Sequence, residues 1–201
     1  MKEQPSVIEI LVLAAGASQR MLGRDKLLEP VGDDTPLLAH VVGQACDTGY
    51  QVNVTLPLAQ PARNAAISGF DVRVIDVPDA DMGMSASLRA FASITAQHPA
   101  VLVVLADMPE LTTDDMNTII DAYHATGGDQ IIRATDASGT PGHPVIFPPR
   151  LVGRFAELIG DTGARSLMRG EDIRLVALPG RHATTDLDTP EDWAKWRATR
   201  T

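Results

Sequence analysis

The chain alternates between short aliphatic runs and longer segments in which apolar and polar residues are mixed. The runs are rich in Val, Ile and Leu, are four to seven residues long and are bounded by turn-forming residues, so they predict strands buried on both faces. Seven strands are predicted: Ile8–Ala14, Val52–Leu56, Val72–Val77, Val101–Ala106, Ile131–Ala134, Val145–Pro148 and Ile173–Leu178.

The longer segments carry helix start signals. Thr35, Thr112 and Thr189 are residues suited to N-caps, and two of them precede a proline, which is favoured at the first helical position. A further helix is predicted over Met84–Gln97. Strands that alternate with helices indicate a parallel sheet covered on both sides. We therefore predict an α/β fold, a three-layer αβα sandwich with a mostly parallel sheet.

In such sheets, ligands bind beyond the carboxyl ends of the strands. Gly and polar residues are concentrated in the loops that would lie there. The candidate loops are Ala14–Lys26, Pro78–Ser87, Asp107–Glu110, Thr135–His143 and Arg181–Thr189.

The composition describes an acidic chain of 201 residues with a net charge of −9. Its length and 44% hydrophobic content suit one domain over residues 1–201. The negative balance disfavours nucleic acid and anionic membranes as partners, and no run approaches the ~20 apolar residues of a membrane span. Cys46 is the only cysteine, which excludes an intramolecular disulfide and favours a cytoplasmic location.

The loop after the first predicted strand has the chemistry of a phosphate site. Its Ala, Gly and Ser residues allow backbone amides to approach a phosphate chain closely, and Arg20 and Lys26 add two positive charges. The loop lacks the Lys-Ser/Thr ending of a P-loop and the glycine spacing of a dinucleotide-binding turn. A phosphate ligand outside these two common classes is therefore favoured, with a solvated loop lysine as the alternative.

Carboxylates follow two other predicted elements. Asp107 ends an apolar run, and Asp186 and Asp188 alternate before Thr189, so that an extended chain would place both on one face. Hard carboxylate oxygens suit Mg²⁺. We therefore predict Asp107, Asp188 and Asp186 as metal ligands, although an aspartate after a strand is often only a turn former or a cap.

These segments together resemble one family. Residues 13–28, Leu-Ala-Ala-Gly-x-Ser-x-Arg-Met-x-Gly-x-Asp-Lys-Leu-Leu, are similar to the signature of the molybdenum cofactor cytidylyltransferases (MocA-like), which are small nucleotidyltransferases. Asp-Met-Pro at 107–109, Gly-Met-x-x-Ser-Leu at 83–88, Gly-x-Pro-Gly-His-Pro at 139–144, Gly-Asp-x-Gly-Ala-Arg at 160–165 and Asp-x-Asp-Thr-Pro-Glu-Asp at 186–192 also match. The first motif departs from the common form, because Leu22 lengthens it by one residue.

The resemblance implies a nucleotide-diphospho-sugar transferase-like, Rossmann-like fold and roles for individual residues. Arg20, Lys26 and Asp107 would be catalytic. The implied nucleotide-binding residues are Leu13, Ala14, Ala15, Gly16, Ser18, Arg20, Lys26, Gly83, Ser85 and Ser87. The implied acceptor-binding residues are Gly142, His143 and Arg165; a turn-shaping role for His143 and a structural salt bridge for Arg165 stay open.

The implied activity is Mg²⁺-dependent transfer of CMP from CTP to the terminal phosphate of molybdopterin, with a molybdenum hydroxylase of the xanthine oxidase type as recipient of the product. The resemblance favours CTP over GTP at two places: Ala15, where guanylyl-transferring relatives tend to have Leu-Ala-Gly-Gly, and the Pro-Gly-His-Pro segment at 141–144. A phosphate monoester is ionised near neutral pH, so no general base is required. Two alternatives stay open: a guanylyltransferase or other nucleotidyltransferase with a different phosphorylated acceptor, and a non-catalytic molybdenum cofactor chaperone.

Overall fold

The computed structural model describes residues 7–95 and 98–199, with the backbone alone at residues 161 and 162. Seven strands form one sheet and two short strands form a hairpin. The strands are β1 (Ile8–Leu13), β2 (Pro30–Gly32), β3 (Thr35–Pro36), β4 (Gln51–Pro57), β5 (Arg73–Val77), β6 (Ala100–Leu105), β7 (Ile131–Thr135), β8 (Pro141–Phe147) and β9 (Ile173–Ala177). The α-helices are α1 (Leu37–Cys46), α2 (Pro61–Ile67), α3 (Met84–Ile94), α4 (Thr113–Ala125), α5 (Pro149–Val152) and α6 (Pro190–Ala198).

The large sheet has the strand order β5-β4-β1-β6-β8-β7-β9. Strand β8 is antiparallel to both of its neighbours, and every other pairing in this sheet is parallel. The carboxyl ends of β1 and β6 therefore lie side by side, together with the amino end of β8. This edge is where the first loop, Asp107 and the start of β8 converge.

Alternating side chains of the strands enter two separate cores. On β1, Ile8, Ile10 and Val12 pack among residues of α1, α4 and α6, whereas Leu11 packs on the opposite side with residues of α3 and α5. A fully buried aliphatic side chain such as Leu11 contributes about 1.5–3 kcal/mol to stability. The predicted three-layer α/β architecture with a mostly parallel sheet is confirmed.

Two of the predicted helix starts are confirmed by capping boxes. Thr112 Oγ1 accepts a hydrogen bond from the amide of Asp115, and Thr189 Oγ1 accepts one from the amide of Asp192, both at 3.2 Å. In each box the carboxylate also accepts from the N-cap amide. These boxes satisfy amides that the first helical turn leaves unpaired.

Several boundaries differ from the predictions. Helix α1 begins at Leu37 rather than beside Thr35, because Thr35–Pro36 pairs with β2 in the small hairpin. Strand β8 begins at Pro141, so part of the predicted Thr135–His143 loop is extended and pairs with β7. Helix α3 ends at Ile94, and residues 96 and 97 of the predicted helix lie outside the described residues. Helix α2 was not expected from the sequence.

Short 3₁₀ helices replace loop at several places around the sheet. They span Gln19–Met21, Lys26–Leu28, Ala80–Met82, Gly153–Glu157 and Gly160–Met168. Within the described part of the chain, no helix is both long enough and apolar enough to cross a membrane.

Candidate active site

A cavity of about 510 Å³ opens at the edge of the sheet where β1 and β6 end. Most of the residues predicted to contact a nucleotide line it. The predicted residues in its wall are Leu13, Ala14, Ala15, Gly16, Ser18, Arg20, Lys26, Gly83, Ser87, Asp107 and Asp188. Four segments that are distant in sequence thus meet around one space. Two of them, the first loop and Asp107, follow β1 and β6, which are neighbours in the sheet.

Lys26 lies at the centre of this wall. Its Nζ is 2.5 Å from Asp107 Oδ2 and 2.6 Å from Asp188 Oδ1, and only 12% of its side chain is exposed. Burial alone would lower the pKa of the ammonium, but attraction to Asp107 and hydrogen bonds to both carboxylates outweigh it, so the pKa lies above its ordinary value. Lys26 therefore carries its charge at any physiological pH.

Arg20 adds a second, more exposed positive charge. Its Nη1 is 3.0 Å from Asp188 Oδ2, and 72% of its side chain is exposed. An ion pair this exposed is weak, because water screens it. The Arg20 guanidinium is therefore available to an anionic ligand in the cavity.

One oxygen of the Asp107 carboxylate could serve as a ligand to a divalent cation, because no described residue donates a hydrogen bond to it. Asp107 Oδ1 is buried and accepts no hydrogen bond from the described residues. Asp186 accepts no side-chain hydrogen bond in the described part of the chain and does not line the cavity; partial desolvation and the charges of Asp107 and Asp188 raise its pKa. Among the described residues, no three His, Cys, Asp or Glu side chains come close enough to hold a metal ion by themselves. A cation here would need ligand oxygens or water as well.

Arg63 anchors the first loop, Ala14–Lys26, although it was not expected from the sequence to do so. Arg63 is 2% exposed and donates to the carbonyl oxygens of Ala14 at 2.6 Å and Gly16 at 2.9 Å. It also forms a two-pronged ion pair with Asp25, at 2.6 and 2.9 Å. The partners are 38 residues apart, so no local pattern could have indicated them. These contacts anchor the backbone of Ala14–Gly16, the segment called the cradle below.

The extra residue in the first motif is accommodated outside the cradle. Leu22 is 85% exposed and has φ of 53°, a left-handed conformation, while Met21 beside it is fully buried. Asp25 Oδ1 accepts from the amide of Leu27 at 3.1 Å, which fixes the turn that carries Lys26. With the extra residue present, Lys26 Nζ lies 2.5 Å from Asp107 Oδ2.

The start of α3 supplies the opposite wall. Gly83 is its N-cap, with φ of 86° and ψ of −172°, a conformation open mainly to glycine. Ser87 lines the cavity, but Ser85 is fully buried, its hydroxyl lacks a partner among the described residues, and it does not line the cavity. The structure therefore brings Gly83 and Ser87, but not Ser85, to the predicted nucleotide site.

A second cavity of about 170 Å³ adjoins the first, and Met84 lines both. His143 and Arg165 lie in its wall, as does Arg133, which the sequence analysis missed. The apolar part of the wall comes from α3, β6, β8 and the 3₁₀ helix Gly160–Met168; its residues are Met84, Leu88, Val103, Val145, Phe147, Ala164 and Met168.

Gly142 does not line this second cavity. A Cβ at Gly142 would lie 1.7 Å from the carbonyl oxygen of Ala183, and the next amide, that of His143, donates to the same oxygen at 2.9 Å. Gly142 thus allows the segment that leads to Asp188 to pack against β8. Its position indicates a role in packing rather than direct contact with an acceptor.

Comparison with known proteins decides the family. The MobA-like NTP transferase domain matches residues 10–178. The chain belongs to the MobA-like NTP transferase family. Nucleotidyl transfer is therefore its class of reaction, in agreement with the resemblance in the sequence. No curated protein matches the chain.

Solved structures extend the likeness of this MobA-like protein over almost its whole length. Rv0371c of Mycobacterium tuberculosis H37Rv is 30% identical, with a TM-score of 0.81 over 96% of this chain and 98% of that one. Rv0371c in complex with manganese matches with 30% identity and a TM-score of 0.74 over 94% and 97% of the two chains. CMP:2-keto-3-deoxy-manno-octonic acid synthetase complexed with CTP is 15% identical, with a TM-score of 0.76 over 97% and 98%, and shares the nucleotide-diphospho-sugar transferase-like fold.

Proposed function

We propose that this chain transfers CMP from CTP to the terminal phosphate of molybdopterin, releasing pyrophosphate. The observation that carries the proposal is the Lys26 ammonium, held between Asp107 and Asp188 in a cavity walled by the small residues of the first loop. The adjoining cavity, with its basic wall, suits an anionic acceptor. The two substrates would therefore meet beside Met84.

The nucleotide would lie in the larger cavity. The cradle formed by Ala14, Ala15 and Gly16 would pack against its phosphates, with Gly83 and Ser87 at the sugar and base. Lys26 and Arg20 would neutralise the charge that develops on the departing pyrophosphate. A base preference for cytosine over guanine rests on Ala15 in the first motif and on the resemblance to the MocA-like sequences.

Asp107 and Asp188 would hold a divalent cation, which we propose is Mg²⁺. The unpartnered Asp107 Oδ1 is an oxygen ligand of the type that Mg²⁺ prefers, and the relative Rv0371c has been solved with manganese. Asp186, which does not line the cavity, would add negative charge near these two carboxylates. When bound, the cation would polarise the phosphoryl oxygens.

The chain's own residues have little covalent chemistry to perform. An ionised oxygen of the acceptor phosphate attacks the α-phosphorus of CTP, the bond from that phosphorus to the bridging oxygen breaks, and pyrophosphate leaves with the electron pair. The nucleophile is already deprotonated, since the second pKa of a phosphate monoester is about 6. Catalysis would therefore come from positioning and from the charges of Lys26 and Arg20. We place the reaction in the cytoplasm, with a molybdenum hydroxylase as the recipient of the product.

Pyrophosphate release tests this function. The purified protein is mixed with Mg²⁺ and molybdenum-loaded molybdopterin, and with CTP, GTP, ATP or UTP in parallel reactions. We expect release with CTP alone. Release with GTP instead overturns the donor, and release only with a different phosphorylated acceptor overturns molybdopterin. Stoichiometric binding of molybdopterin with no release from any nucleotide overturns catalysis in favour of a chaperone.

A further inference from the structure

Two arginine side chains and one histidine side chain line the second cavity. Arg133 lies on β7, Arg165 on the 3₁₀ helix Gly160–Met168, and His143 on β8, the strand between β6 and β7. Burial and the charge of Arg165 lower the pKa of the Arg133 guanidinium. Neither guanidinium contacts a carboxylate among the side chains that the structure describes. Two like charges that share a partly buried cavity repel each other, so a bound anion would relieve that repulsion.

A hydrogen bond to the backbone of β8 orients the guanidinium of Arg133. Its Nε donates to the carbonyl oxygen of Gly142 at 3.1 Å, which fixes the plane of the group against β8. No hydrogen bond from its two terminal nitrogens to a described residue competes with a ligand. A guanidinium presented in this way can donate two parallel hydrogen bonds to a phosphate.

His143 complements the two arginines as a neutral hydrogen-bonding group. Burial and the charges of Arg133 and Arg165 lower its pKa to about 4, and the charge of Asp107 opposes the shift only in part. A neutral imidazole can donate one hydrogen bond from either nitrogen. The His143 amide donates to the Ala183 carbonyl oxygen, and the His143 side chain lies in the cavity wall.

We propose that Arg133, Arg165 and His143 form a pocket for a phosphate monoester dianion and that Arg133 determines the enzyme's preference for a phosphorylated acceptor. The inference rests on the proposed function for the identity of the acceptor, but the pocket for the anion stands on its own geometry. The pocket adjoins the larger cavity at Met84, so a phosphate bound there belongs to the acceptor rather than to the triphosphate chain cradled by the first loop.

Binding is tested without catalysis by NMR of the histidine rings. Inorganic phosphate is titrated into the full chain, with no nucleotide present, and the imidazole resonances of His143 are followed. We expect saturable shifts in the wild type and their loss in Arg133→Gln and Arg165→Gln. Arg174→Gln is the matched control, because it removes the same charge from an exposed position on the neighbouring strand β9. Unchanged His143 resonances in the wild type, or the same shifts in Arg133→Gln, overturn the pocket.

Steady-state kinetics test which substrate the pocket serves. We expect Arg133→Gln to raise the KM for the acceptor at least tenfold and to leave the KM for CTP within twofold, with partial recovery in Arg133→Lys. A rise in the KM for CTP instead overturns the assignment to the acceptor. Saturable phosphate shifts at His143 in a protein that transfers no nucleotide would support the pocket while contradicting the proposed function, so the two failures are distinguishable.

Discussion

The ammonium of Lys26 is shared by two carboxylates that reach it from distant parts of the chain. Asp107 is 81 residues and Asp188 is 162 residues away in sequence. Asp107 pairs with Lys26, and Asp188 pairs with both Lys26 and Arg20. These positive charges balance the negative charge of the two partly buried carboxylates. The same cation lies where phosphate charge would develop during transfer.

Lys26→Met therefore should remove both a structural charge and a catalytic one. We expect nucleotidyl turnover to fall by about 10²–10³-fold, the range found when one preorganised donor to a transition state is lost. Pyrophosphate release measures the effect, and circular dichroism establishes that the variant is folded. Arg24→Met is the control, since Arg24 pairs with Glu29 and does not line the cavity. Wild-type turnover in a folded Lys26→Met variant contradicts the role.

His143 gives the folded state a specific pH dependence. Its pKa is about 4 in the folded protein against an ordinary 6.5, so the unfolded chain binds more protons between these values. The free energy of unfolding should therefore fall as pH drops from about 6.5 to 4, and His143 accounts for roughly 3 kcal/mol of that loss. At neutral pH the imidazole is mainly uncharged in both the folded and the unfolded chain, so this loss of stability is absent.

Denaturant unfolding at several pH values tests this linkage. His143→Asn should lose less stability than the wild type across the window, whereas His124→Asn, at an exposed position near the end of α4, should follow the wild type. Asp136, whose pKa is lowered from 3.8 to about 2 by hydrogen bonds from Ser138 and Thr140, loses its stabilising effect mainly below this window and does so equally in the wild type and both variants. Parallel pH curves for wild type and His143→Asn would show that the imidazole is not buried neutral.

The elements that carry the site differ in how far their sequences determine them. Helices α4 and α6 begin where Thr112 and Thr189 predict, because a capping box is complete within four residues. Strand β8 begins four residues before the predicted start at Val145, since Pro141 and Pro144 resemble loop residues when pairing partners are unknown. Its antiparallel direction likewise depends on the neighbours β6 and β7, not on its own residues.

Gly142 links β8 to the segment that carries Asp186 and Asp188. A Cβ there would lie 1.7 Å from the Ala183 carbonyl oxygen, so Gly142→Ala should push that segment away from the strand. We expect a loss of about 1–3 kcal/mol of stability, as for other overpacked sites, together with reduced turnover because Asp188 moves relative to Lys26.

Chemical denaturation and pyrophosphate release measure the two consequences. Gly69→Ala is the matched control, since a Cβ at Gly69 meets no heavy atom within 4 Å and its φ is not left-handed. It should leave both quantities unchanged. Normal stability and normal turnover in Gly142→Ala would mean that the strand and the segment can separate at no cost.

At the scale of the whole molecule, a chain of net charge −9 concentrates cationic groups around two adjoining cavities. Arg20 and Lys26 face the larger one, and Arg133 and Arg165 face the smaller one. Anionic ligands are therefore attracted locally despite the overall charge, and their binding should stabilise the folded state.

CTP together with Mg²⁺ should raise the thermal midpoint more than CTP with a chelator. At a hundred times the dissociation constant, the expected stabilisation is about 2.7 kcal/mol, which corresponds to about 5–10 °C for a chain of this size. Differential scanning fluorimetry measures the shift, with GTP as the comparison nucleotide. Equal shifts with Mg²⁺ and with chelator would contradict a cation held by Asp107 and Asp188.

The sequence by itself determined the existence of the seven strands of the large sheet, two helix starts, the loops that meet at the site and the resemblance to nucleotidyltransferases. These features are encoded within a few residues, in hydrophobic runs, capping boxes and short motifs. Only the tertiary structure decided that Arg63 clamps the first loop, that Ser85 is buried, that Gly142 packs on Ala183, and that Arg133 joins Arg165 and His143. The physical reason is that these contacts join residues distant in sequence, and their distances depend on the order and direction of the strands.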